Sequence, residues 1–193
     1  MNRTSRNATA LHLAIASLVC SFALALTGAA QPPPPGEEST PKPTAGDVVD
    51  FEKLLPILPS PPEGWKADEA EGSTDELGEA QISTVHRDYS KGEANDAPTT
   101  SISILDSVAT PDYVELTTAG WTRTETTPEG YTKAVTIEGM PGFEIFENEG
   151  KHGTLWLLVA KRYFLQIETT AQDAKELQEW LKRIDLKKLG AIK

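Results

Sequence analysis

Few residues of this chain have the type and spacing to do chemistry. After the first thirty positions only two histidines remain, His86 and His152. Hydrolysis through a nucleophilic serine needs a histidine and an orienting acid beside it, and no G-x-S-x-G elbow occurs. His86 sits between Val85 and Arg87-Asp88, where it reads as a half-exposed strand histidine rather than a base. The segment ENEGKHG brings Glu147, Glu149 and His152 close in sequence around two glycines, a set that could hold zinc or a hard cation. Lys151 opposes that reading, and a solvated hairpin tip competes with it. No G-x-G-x-x-G or Walker A run is present to cradle phosphate. Carboxylates abound, so no pair can be singled out for glycosidic cleavage. No catalytic residue and no cofactor are therefore assigned. Among the tryptophans, Trp156 and Trp180 read as buried. Trp121 is claimed by a helix cap, where Gly120 is the left-handed residue and Trp121 packs on Leu116. Trp65, after a proline-rich entry, is the one candidate platform for stacking a sugar or peptide, against packing over the domain edge.

The elements that must position these residues start after an export signal. Arg3 and Arg6 precede an apolar run from Leu11 to Leu26, and Gly28-Ala29-Ala30 offers a cleavage site before Gln31. The run is too short for a comfortable membrane span. Cys20 lies inside it, preceded by Val19 rather than the small residue a lipoprotein needs. Residues 1–30 are expected to be removed or, alternatively, to remain as an anchor. Removal takes two arginines and the single cysteine, so the whole-chain charge of −11 becomes −13. A cysteine-free acidic protein in the periplasm, cell envelope or extracellular space cannot be a disulfide scaffold or thiol enzyme. Its charge disfavours nucleic acid and anionic membranes, permits cationic partners, and leaves no membrane insertion after cleavage.

Residues 31–46, QPPPPGEESTPKPTAG, hold six prolines and no large apolar side chain, and read as a disordered linker. Residues 47–193 form one domain. Asp47–Leu55 predicts a short helix capped by Asp47 and stopped by Pro56. Six acids between Asp68 and Glu79 lack the calcium-loop pattern and suggest a solvated loop or edge hairpin. Alternation predicts strands at Ala80–Ser90 and Thr99–Asp106, then a helix opened by Thr110-Pro111. From Tyr131 a meander follows, with LWLLVA (Leu155–Ala160) apolar on both faces as its central strand. Thr170 and Asp173 are set as a capping box for the last helix, whose stripe is Ala174, Leu177, Trp180, Leu181 and Ile184. The expected fold is α+β: an antiparallel β-sheet of about five to six strands, packed by a C-terminal amphipathic helix and one or two shorter helices.

The order of a strand from Tyr131, the EGMPG turn, LWLLVA, YFLQIE and an amphipathic helix ending in IDL resembles the C-terminal half of PsbP-like domains. These are photosystem accessory proteins and their exported bacterial relatives. The likeness covers roughly residues 97–185 and is one of layout, with no motif. It implies a non-catalytic accessory or binding module in an α-β-α sandwich and carries no functional residue across. The function expected is an exported, non-enzymatic accessory or binding domain for an envelope protein or small ligand. The alternatives are a hydrolase-like enzyme with a scattered acidic or histidine site, and a lipid carrier with a cavity between sheet and helix.

Overall fold

The computed structural model describes residues 47–193 except Gly78, Glu79 and Asn95. The signal and linker expected at 1–46 lie outside the described residues.

Nine strands pair into one antiparallel sheet: β1 (Lys66–Ala67), β2 (Glu71–Leu77), β3 (Ala80–Ser90), β4 (Thr99–Asp106), β5 (Thr124–Thr127), β6 (Gly130–Ile137), β7 (Met140–Glu147), β8 (His152–Val159) and β9 (Tyr163–Thr170). Their order is β1-β3-β4-β9-β8-β7-β6-β5, with β2 also on β3. The expectation of five to six strands is thus too low. The additional strands are edge pieces that alternation cannot reveal, and the acidic stretch takes the edge-hairpin form that is one of its two readings. β5 is Thr-Glu-Thr-Thr, exposed throughout, and β2 is the acidic stretch itself, paired from Glu71 opposite His86 to Leu77 opposite Ala80. Both are strands because a neighbour offers a ladder, not because they have an apolar face to bury.

The inner face of the sheet carries the core. Ile102 and Ile104 of β4, Leu165 and Ile167 of β9, and Leu155 and Leu157 of β8 are no more than 1% exposed. Over them lie α1 (Phe51–Leu54), α3 (Lys175–Leu181) and α4 (Leu186–Ala191), which supply Leu54, Leu177, Trp180, Leu181, Leu186 and Leu189. Each such large side chain stabilises the fold by about 1.5–3 kcal/mol on burial. Gly153 permits the close seating of α3. A Cβ there would lie 3.0 Å from Leu177 Cδ1 and 2.9 Å from Thr169 Oγ1.

The helix ends differ from the sequence reading. Asp50, not Asp47, caps α1 by accepting from Glu52 N, and Pro56 is absorbed in a 3₁₀ turn, Leu55–Ile57. That turn accommodates Pro56 near its own start, where a missing N–H costs nothing. Thr170 ends β9 instead of capping, so the capping box does not form. The Gln172 side chain is turned inward instead. It donates to Thr99 O and Thr100 Oγ1, and its carbonyl accepts from Trp180 Nε1 at 3.3 Å. The single expected C-terminal helix is two, the second capped by Asp185, which accepts from Lys188 N.

Two buried carboxylates tie distant segments. Asp106, 0% exposed, receives Arg162 Nε at 2.8 Å, Arg162 Nη2 at 2.7 Å, Val49 N at 2.7 Å and Val108 N at 3.2 Å. Glu144, 2% exposed, accepts from Tyr131 Oη, from Lys133 Nζ at 2.8 Å and from Gln178 Nε2 at 3.0 Å. Burial, then the Glu144 carboxylate, pushes the Tyr131 hydroxyl well above its ordinary pKa. Such networks hold because every buried charge is matched.

Candidate functional site

The two faces of the sheet are covered unequally. From β4, the chain must cross β9, β8, β7 and β6 to reach β5 at the far edge. It does so through α2 (Pro111–Ala119), on the outer face, where Tyr113 and Trp121 meet Phe164 edge-on at 5.5 and 5.9 Å. Gly120 is right-handed, with φ −79°, so the expected left-handed cap does not form. Trp121 packs on Phe164 and leaves Leu116 78% exposed. α2 meets the outer face through Tyr113, which packs on Phe164.

Beyond α2, the register lays out two rows of side chains. One runs His86, Ser103, Gln166, Trp156, Phe143 across β3, β4, β9, β8 and β7. The next runs Asp88, Ser101, Glu168, Thr154, Ile145. In the first row, every side chain is half-buried, as for a sheet face screened only by its own neighbours. Trp156, expected in the core, belongs to this row. LWLLVA is apolar on both faces, but only Leu155, Leu157 and Val159 lie under the helices. Trp156 packs on Phe143 with ring centroids 6.5 Å apart.

Each histidine on this face is engaged by an acid. His86 Nε2 lies 3.1 Å from Asp88 Oδ1. The hydrogen bond to Asp88 raises the His86 pKa above 6.5, burial opposes it, and the charges of Asp88, Glu71 and Asp68 add to the rise. The same bond holds Asp88 below 3.8, against burial and with help from Ser101. His86's contribution to stability is therefore whole below pH 6.5 and lost as pH rises through its elevated pKa. That of Asp88 is present above pH 3.8 and lost as pH falls through its lowered one. The pair is strongest between those limits. Titration of His86 by NMR should give a midpoint above 6.5 that falls back in Asp88→Asn; an unmoved midpoint would contradict the pairing.

His152, at the end of β8, faces Glu168 (Nε2 to Oε1 3.4 Å) and Thr170 (Nδ1 to Oγ1 3.3 Å). Its partners thus come from β9, 16 and 18 residues away, instead of from its own loop. Among the described residues, no group of three or more His, Cys, Asp or Glu side chains is placed to hold a metal. The candidate set of Glu147, Glu149 and His152 is not brought together as a site. Glu147 stands opposite His152 across β7 and β8, but Glu149 is carried into the 3₁₀ turn Glu149–Lys151, which contains left-handed Gly150 (φ 69°) and Lys151 (φ 49°).

Trp65 is not an open stacking platform. It is half-buried and meets Trp180 edge-on at 5.0 Å, with Tyr89 on the same ring at 4.8 Å. The Tyr89 hydroxyl donates to Pro59 O at 2.7 Å, and burial pushes its pKa up to about 12. The proline-rich entry folds Trp65 back onto the core, where its indole adds apolar area beside α3.

Two shallow hollows, of about 290 and 270 Å³, lie elsewhere. The first sits between Glu138 and the α3–α4 junction, the second at the β5–β6–β7 end beside Tyr131 and Glu147. Neither is lined by His86 or Trp156. Comparison with family models, with curated proteins and with solved structures returns no match. Among the described residues, no helix is long and apolar enough to cross a membrane. Fold and site define an antiparallel-sheet domain with one face sealed by helices and the other largely uncovered.

Proposed function

We propose that this chain is an exported, non-enzymatic binding domain, and that its partner docks on the outer face beside Trp156. The observation that carries the reading is the uncovered pair Trp156 and Phe143, bordered by Ser103, Gln166 and Glu168. Half-buried aromatics among hydrogen-bonding side chains are typical of interface centres. Helices α1, α3 and α4 on one face and α2 on the other also fit the α-β-α order that a PsbP-like layout implies, which supports an accessory role. Export rests on the sequence of residues 1–30.

The carrier reading finds no such support, since the space beneath α1, α3 and α4 is filled by side chains. Affinity capture from the envelope and medium of the native host, with the chain from Gln31 as bait, tests the proposal. A partner should be retained by the wild type and lost by the Trp156→Ser/Phe143→Ser variant. Equal retention by both would place binding elsewhere.

A further inference from the structure

The distribution of charge over the outer face points to one class of partner. Its strands present Glu71, Asp75, Asp88, Glu125, Glu147 and Glu168, as fixed by the pairing register. Of the strand lysines and arginines, Arg87 and Lys133 stand in inner-face registers, opposite Ile102 and Glu144. Only Lys66 shares the outer face. It sits opposite Ser90 on an outermost strand and is already held by Glu93 at 2.7 Å. The histidines are in turn matched to Asp88 and Glu168. The strands of this face are therefore predominantly acidic, with an aromatic pair near the middle.

Resting on the docking face proposed above, we propose that the partner is a cationic polypeptide segment, rich in arginine, laid across the strands. Charge complementarity selects the cation: six strand carboxylates face a ligand, against Lys66 at one edge and Arg123, opposite Ala134, at the other. The aromatic pair favours guanidinium over ammonium, because a planar arginine head stacks on an indole and still pairs with a carboxylate. Glu168 and Trp156 lie on adjacent strands, β9 and β8, within reach of one such side chain. Asp88 and Glu168 are two strands apart, about 10 Å. A segment in the polyproline II conformation returns a side chain to the same side at every third residue, about 9 Å along at about 3.1 Å each. Ser103 and Gln166, half-buried in the neighbouring row, add hydrogen-bonding groups for a peptide backbone.

The test uses the chain from Gln31 with a fluorescent arginine-rich nonapeptide and its glutamate counterpart. Anisotropy should rise with the first and not the second. Asp88→Lys/Glu168→Lys should weaken the arginine peptide by about tenfold or more. Glu63→Lys/Glu179→Lys makes the same change in net charge away from these rows and should weaken it by less than about twofold. Should the lysine pair impair folding, Asp88→Asn/Glu168→Gln should give a smaller loss in the same direction. Equal loss in the outer-face and control variants would overturn the inference, as would no binding by wild type. If Trp156→Ser/Phe143→Ser abolished capture of the host partner while the peptide ignored both rows, the docking face would stand and its cationic partner fall.

Discussion

Replacing Arg162 by methionine is expected to lower the unfolding free energy by about 3–5 kcal/mol, because it strands Asp106 as a buried, unpaired charge. Asp106 is wholly inaccessible and draws both ends of the guanidinium fork, while Arg162 Nη2 also donates to Asp47 O at 3.0 Å. The Arg162 carbonyl accepts from Ser107 N as well, so the turn before β9 is fixed to the end of β4 through backbone and side chain together. Urea unfolding measures the loss. Adding Asp106→Asn should recover about 1 kcal/mol or more, since a neutral amide oxygen still accepts from Val49 N or Val108 N without carrying a buried charge. A single variant within about 1 kcal/mol of wild type would show that the pair does not hold this corner.

Trp180→Ala should be of similar size, about 3–5 kcal/mol. The indole is 2% exposed and wedged between Trp65 and Tyr89, so its removal opens a cavity with stiff walls. It also leaves the Gln172 carbonyl without its donor. Trp180→Phe should cost clearly less, because it refills most of the volume. In the alanine variant the Trp65 emission should shift to the red as that ring gains water. A loss below about 1 kcal/mol, with Trp65 emission unchanged, would contradict the placement of α3.

Burial against the helices was legible wherever it leaves a period in the sequence. The alternation of β4 and the stripe of Leu177, Trp180, Leu181 and Ile184 point to residues that are indeed inside. What escaped has no local signature. Asp106 and Arg162 stand 56 positions apart, and neither differs in kind from the many surface charges. Thr124–Thr127 is a strand only because β6 lies beside it. The candidate face was hidden for a related reason. A segment apolar on both sides, such as LWLLVA, says that both faces are shielded to some degree but not by what. That Phe164 is covered by Tyr113 and Trp121 while Trp156 stays half open depends on where a crossover of exposed, weakly patterned residues comes to rest. His86 reads as a half-exposed strand histidine, which it is, and His152 as a candidate ligand against a solvated hairpin tip. Their pairing with acids on one face is set by the register, which the sequence does not encode locally.

The most direct test of the docking face is an amide NMR map of the chain from Gln31 with the partner captured from its host. The account predicts shifts and broadening concentrated at Ser101, Ser103, Gln166, Glu168 and the Trp156 indole, with Leu177–Leu189 unmoved. Perturbation confined to α3 and α4, with the Trp156 indole unchanged, would contradict it.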